Sequence, residues 1–127
     1  MMKKFVVAGV LAVSSMLASQ WGMAATLEDD MRALAIGYKT FAGSDNAQQA
    51  TAALTKMRAA ALDSKKLAPA KVQKDPQQLK AYHAGVDQLV GEIDKTNALV
   101  KAGQLAQAKQ EGKKLLDIRD TNHKKFR

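Results

Sequence analysis

The sequence contains no cysteine. This absence excludes disulfide bonds, iron–sulfur clusters, zinc sites built on thiolates and covalent haem attachment through a C-x-x-C-H motif. Any cofactor of this chain must therefore bind without thiolate ligands. A helical domain of about 100 residues can be stable without disulfides when its helices pack well, so a single folded domain remains the expectation.

Long hydrophobic runs are also missing, except near the N-terminus. Lys3 and Lys4 precede an apolar run over residues 5–18, which spans 14 residues. A membrane-spanning helix needs roughly 20 apolar residues, so this run is too short to cross a bilayer. A basic start followed by a short apolar run is typical of a secretory signal peptide.

Small residues mark the expected end of that signal peptide. Gly22 and Ala24 occupy the two positions before the cleavage point that favour small side chains. We therefore predict a signal peptide over residues 1–24, removed after Ala24. The exported domain, residues 25–127, is expected to have no membrane span and to be located in the periplasm.

Acidic residues are in the minority. The chain has 20 Lys and Arg against 12 Asp and Glu, and loss of Lys3 and Lys4 with the signal peptide lowers the formal net charge from +8 to +6. A basic surface can attract nucleic acids, anionic lipids or acidic proteins, or it can simply be a solvated surface. Export, and the lack of a basic block with interleaved aromatics, argue against nucleic acid. We expect a monomer with transient, acidic-surfaced protein partners.

Proline is rare, and the composition is that of helices. The only prolines, Pro69 and Pro76, lie in one polar stretch, and the rest is rich in Ala, Leu, Lys and Gln. Apolar spacing predicts four helices, which begin at Leu27, Ala47, Pro76 and Leu105 and end near Ala42, Lys66, Gly103 and the C-terminus. Residues 67–75 are predicted to be the one long loop. Short connections favour an all-α, antiparallel up-down-up-down four-helix bundle.

Local signals support these helix ends. Thr26 followed by Asp29 reads as a capping box, and Asp75 before Pro76 reads as an N-cap with proline at the first helical position. Gly103 suits the left-handed position after a helix C-terminus. The first helix carries an apolar stripe for the core, made of Leu27, Met31, Leu34, Tyr38 and Phe41.

The residues favour no catalytic site, so we do not expect an enzyme. There are two histidines, His83 and His123, and no Glu-x-x-His spacing of the kind that di-iron bundles use. The predicted topology brings both chain ends to one end of the bundle. Met31 and His123 then lie roughly 7 and 6 Å from that end, at about 1.5 Å per helical residue. One Met opposite one His can hold a six-coordinate haem, although a Met on an apolar stripe is also ordinary core.

Four stretches of the chain resemble the cytochrome b562 family of four-helix bundles. They are LEDDM at residues 27–31, ALTKMRAAALD at 53–63, LVGEID at 89–94 and RDTNHKKFR at 119–127. The resemblance spans essentially the whole exported domain and is weakest over residues 67–75.

This resemblance implies one non-covalent b-type haem with Met31 and His123 as axial ligands. The family's aromatic haem-packing positions match Tyr82 and Val86, so one aromatic is replaced by a smaller aliphatic residue. Leu34, one turn after Met31, is a further haem contact. Arg119, one turn before His123, either reaches the haem edge or a propionate or extends into water.

The resemblance implies a periplasmic one-electron carrier, because a haem with both axial positions filled has no open site for a substrate. A haem-free bundle that binds an envelope component through its basic face is one rival. Haem storage or delivery is another. His83, deeper in the bundle and beside the apolar stripe, is the competing ligand.

We predict that association with acidic redox partners weakens as ionic strength rises. The net charge of +6 on a small domain steers encounter with acidic surfaces, and salt screens that attraction. Second-order electron-transfer rates with an acidic redox protein, measured from roughly 0.01 to 0.5 M salt, should fall steeply. A neutral partner is the control, and rates independent of salt with every acidic partner would contradict the prediction.

Overall fold

The computed structural model describes residues 26–126, and this part of the chain is all-helical, with no strand. The predicted signal peptide, residues 1–24, lies outside the described residues. The helices are α1 (Leu27–Ala42), α2 (Ala47–Lys65), α3 (Ala70–Gln73), α4 (Pro76–Lys101) and α5 (Leu105–Phe126). Four of them are long, and their starts and ends agree with the sequence prediction to within two residues, the largest difference being the end of α4 at Lys101 rather than Gly103.

The predicted helix caps are confirmed. The Thr26 hydroxyl accepts a hydrogen bond from the Asp29 backbone N–H at 3.1 Å, and the Asp29 carboxylate accepts one from the Thr26 N–H at 3.0 Å. The Asp75 carboxylate accepts from the Gln77 N–H at 3.0 Å, which caps α4. Gly103 has φ +80°, the left-handed conformation that glycine adopts without a steric penalty.

The segment after α2 differs from the prediction of a plain loop. It contains α3, a single helical turn that starts after Pro69. The turn buries Val72 completely, and the Gln73 side-chain amide donates to the Ala68 carbonyl at 2.7 Å. One apolar side chain therefore pins this connection to the core. Apolar spacing could not predict this contact, because a single helical turn is too short to show a periodic pattern.

The long helices pack in chain order, α1 on α2, α2 on α4 and α4 on α5. Ion pairs of 2.8 Å join Arg58 to Asp94 and Lys65 to Asp87, so numbering rises along α2 while it falls along α4. The core between them consists mainly of small and aliphatic side chains with Phe41 and Tyr82.

Helices α1 and α5 approach each other closely at one end only. There the Phe41 ring is fully buried and lies so close to Gly112 that a Cβ on this glycine would be 2.6 Å from ring carbon Cε2. At the same end the Lys109 ammonium donates to the Ser44 carbonyl at 2.7 Å, which ties α5 to the turn after α1. Elsewhere the two helices have almost no close backbone contact.

Among the described residues, no helix is both long enough and apolar enough to cross a membrane.

We predict that Gly112→Ala and Gly91→Ala change stability in opposite directions. A methyl group at position 112 would collide with the fully buried Phe41 ring, so the free energy of unfolding should fall by about 1–3 kcal/mol. Gly91 has nothing within 4 Å of the added methyl, so the better helix propensity of alanine should stabilise by about 0.5–1 kcal/mol. Urea unfolding measures the stability of both variants. Equal effects would show that the Phe41 ring does not fill the space beside Gly112.

Candidate functional site

A cavity of about 580 Å³ separates α1 from α5 beyond Phe41. Its walls are mainly apolar, and its volume lies within the range of about 300–1,000 Å³ that is usual for small-molecule and cofactor sites. The side chains from α1 are Leu27, Met31, Leu34, Ala35, Tyr38 and Lys39, and those from α4 are Tyr82, Val86 and Leu89. From α5 come Leu115, Leu116, Arg119, Asp120, Asn122, His123 and Phe126, and α2 contributes Met57 and Ser64.

The apolar stripe of α1 is therefore not the continuous core that its spacing predicted. Of its five members only Phe41 is fully buried. The others, Leu27, Met31, Leu34 and Tyr38, are half-buried because they face the cavity. Helical periodicity reports which side chains share a face, and it does not report whether another helix covers that face.

The six residues that the sequence predicted for a cofactor site all line this one cavity. Met31 and Leu34 lie on α1, Tyr82 and Val86 on α4, and Arg119 and His123 on α5. Met31 is half-buried, whereas His123 is exposed at the open end. A thioether and an imidazole thus enter the same space from the first and last helices.

His83 does not join them. It is half-buried and does not line the cavity. Its ring centroid lies 6.2 Å from that of Tyr82, in a tilted arrangement. His83 therefore lies beside the Tyr82 ring and outside the cavity lining to which Tyr82 belongs.

Charged groups lie at the mouth of the cavity. The Arg119 guanidinium pairs with the Asp120 carboxylate, with a distance of 2.9 Å from Nη2 to Oδ1, and both side chains are about half exposed. Lys39 adds a second cation to the lining from α1. Arg119 is therefore neither buried nor extended freely into water, because its neighbour holds it.

Tyr82 joins three helices at the cavity wall. Its hydroxyl donates to the Ser64 backbone carbonyl of α2 at 2.7 Å, and the residue is 7% exposed. Burial raises the pKa of Tyr82, and the nearby Asp30 charge adds to this effect. Its ring contacts Phe126 of α5 edge-on, with centroids 5.4 Å apart.

A carboxyl pair, buried Asp30 of α1 and half-buried Asp63 of α2, lies next in sequence to the cavity residues Met31 and Ser64. Asp30 is 5% exposed, and one oxygen of Asp30 and one of Asp63 have no hydrogen-bond donor within the described residues. Burial, together with the hydrogen bond and the charge of Asp63, raises the pKa of Asp30 to about 7. Asp30 can therefore remain buried at pH values below about 7, where it keeps its proton.

Sequence reasoning missed Asp30 and Phe126. Asp30 entered the sequence analysis only as part of the stretch LEDDM at residues 27–31, and no local pattern shows that Asp63 faces it. Phe126 follows His123 by three residues, and this spacing places the two on one helix face. That spacing was a usable signal for a second cavity residue at the end of α5.

Comparisons with known proteins all identify one family. The sequence profile of cytochrome b562 matches residues 26–127. The chain is 34% identical over 121 residues to "Probable soluble cytochrome b562 1" of Yersinia pestis, a match that covers 93% of this chain and 95% of the relative. It is 36% identical over 125 residues to "Probable soluble cytochrome b562 2" of the same organism, with 96% and 94% covered.

We predict that Asp30→Asn changes how stability depends on pH. The folded pKa of about 7 lies above the ordinary value of 3.8, so the folded state holds an extra proton between roughly pH 4 and 7. Wild-type stability should fall as pH rises through that window and level off above it. Asparagine has no proton to lose, so the stability of the variant relative to wild type should rise by about 2–3 kcal/mol as pH increases from roughly 5 to 8.

Urea unfolding of the haem-free protein at several pH values measures this difference. Glu28→Gln removes an exposed acid from the same helical turn and is the control for loss of charge. Parallel pH curves for wild type and Asp30→Asn would contradict the assignment of a retained proton to Asp30.

Proposed function

We propose that this chain, which belongs to the cytochrome b562 family, is a periplasmic electron-transfer protein with one non-covalently bound b-type haem. Met31 and His123 are the proposed axial ligands. Family membership supports a b-type cytochrome. The observation that carries the ligand assignment is that these two side chains line one cavity from opposite helices.

The donor set fits a haem. Within residues 26–126, no group of three or more His, Cys, Asp and Glu side chains could hold a bare metal ion. A pair of one thioether and one imidazole suffices only when other ligands complete the coordination, as the four nitrogens of a porphyrin do. The mainly apolar lining also suits a macrocycle that must be taken out of water.

Each lining residue has a proposed task toward this group. His123 binds iron through a neutral imidazole nitrogen, and Met31 binds through its thioether sulfur. Leu34, Tyr82 and Val86 pack against the macrocycle and exclude water. When bound, the haem supplies one-electron redox chemistry, and methionine opposite histidine raises its reduction potential.

Arg119 is proposed to meet the haem edge or a propionate at the cavity mouth. Its pairing with Asp120 holds the guanidinium beside the cavity, so a propionate would compete with Asp120 for the same donors. Filled axial positions leave no site for a substrate, so the proposed role is electron transfer rather than catalysis.

The bundle topology and the compartment are part of the same proposal. The two ion pairs between α2 and α4 make these two helices antiparallel, which supports an up-down-up-down arrangement of the four long helices. The family match begins at residue 26, just after the predicted cleavage site behind Ala24, which supports a removed signal peptide and a periplasmic location. The exported domain is proposed to act as a monomer with transient, acidic partners.

A visible spectrum after haem reconstitution tests the function. An electron carrier should take up one haem per chain and show sharp α and β bands when reduced. No bands would instead identify a haem-free binding protein. Rapid transfer of the haem to an acceptor protein, without electron exchange, would identify a storage or delivery protein.

We predict three different outcomes from His123→Ala, Met31→Ala and His83→Ala. Loss of His123 removes the nitrogen ligand, so haem binding should be nearly abolished. Loss of Met31 opens the sixth position, so haem should still bind, with a high-spin spectrum and a lower reduction potential. His83 does not line the cavity, so its loss should change neither haem binding nor the spin state.

The controls for these variants must separate ligation from folding. Met31→Ala removes a half-buried side chain, and helical circular dichroism must show that each variant is folded before spectra are compared. If Met31→Ala stays low-spin while His83→Ala becomes high-spin, the axial pair is misassigned.

A further inference from the structure

The last turn of α5 is a weak place for a ligand. It carries His123 as an exposed side chain only three residues before the helix ends at Phe126. The last four carbonyls of a helix lack intrahelical partners, and terminal turns open with a free-energy cost near zero unless something holds them. An imidazole on a fraying turn would spend much of its time away from the cavity.

Phe126 supplies a contact that holds this turn. Its ring packs edge-on against Tyr82 with an interplanar angle of 80° and is partly buried against the core. This geometry is the favourable one for aromatic pairs, since the positive edge of one ring meets the negative face of the other. The end of α5 is thereby joined to α4.

Tyr82 is in turn fixed by α2. The Ser64 carbonyl, near the end of α2, accepts from the Leu67 N–H at 3.0 Å and from the Tyr82 hydroxyl at 2.7 Å. The hydroxyl hydrogen bond therefore attaches the buried Tyr82 side chain of α4 to the end of α2. A phenylalanine at position 82 would offer the same ring without this attachment.

We propose that Phe126 and Tyr82 are positioning residues for His123: the edge-to-face pair, tied to the Ser64 carbonyl, holds the last turn of α5 so that the imidazole stays at the cavity. The inference rests on the proposed function, because it assigns the pair a task only if His123 binds haem. The pair itself exists without the cofactor and is tested separately.

Hydrogen exchange of the haem-free domain tests the pair. In Phe126→Ala, the backbone amides of residues 122–126 should exchange about tenfold faster than in wild type, while amides in the middle of α5 keep their rates. Phe126→Tyr keeps the ring and should restore wild-type exchange. Lys125→Ala removes an exposed neighbouring side chain and is the matched control. Tyr82→Phe should show an intermediate increase in the exchange rate, because the ring remains but loses its hydrogen bond to the Ser64 carbonyl.

The rate of haem release tests whether Phe126 and Tyr82 position His123. Ferric Phe126→Ala should lose haem to an excess of a scavenging apo-globin about tenfold faster than wild type and should gain a high-spin component, whereas Phe126→Tyr should do neither. Unchanged amide exchange in Phe126→Ala would overturn the proposal. Faster exchange with unchanged haem release and spin state would overturn it and leave the proposed function intact.

A change in haem release without a change in amide exchange is also decisive. Faster haem release without faster exchange in the haem-free domain would mean that Phe126 only contacts the haem, which overturns the positioning role. A wild-type domain that binds no haem would overturn the proposed function and the task together, and the exchange data would still show whether the pair holds the turn.

Discussion

The packing of Phe41 against Gly112 determines where the rest of this structure can place a cofactor. The ring is fully buried and fills the space between the first and last long helices at one end of the bundle. Gly112 permits this approach because any Cβ there would collide with the ring. With this end closed, α1 and α5 separate toward the other end, and the resulting gap is the cavity that receives Met31 and His123.

Carboxyl groups on α1 and α4 are also withdrawn from water in this structure. Asp30, next in sequence to Met31, is buried, and Glu92 is partly buried between α4 and α5. Burial and an acidic neighbour, Asp63 for Asp30 and Glu111 for Glu92, together raise the pKa of each to about 7. Neutral carboxyl groups can share hydrogen bonds across helix contacts where two charges would repel.

Local chemistry made much of the fold predictable. The capping box at Thr26, the Asp75 cap and the left-handed Gly103 each depend on a few neighbouring residues, and all three were recognised correctly from sequence. The candidate site could also be predicted from the sequence. Met31 and His123 lie at matched distances from the chain ends, and both occupy positions that resemble those of a known family. Val72 in α3 was missed because a single buried residue leaves no periodic pattern.

The sequence by itself determined the helices, their ends and the residues that share a face, since these follow from interactions within about four positions along the chain. Only the tertiary structure decided which faces are covered. It left the stripe around Met31 open to a cavity, paired Asp30 with Asp63, and joined Phe126 through Tyr82 to the Ser64 carbonyl. These contacts join residues tens of positions apart, so they depend on how whole helices pack, which no local pattern encodes.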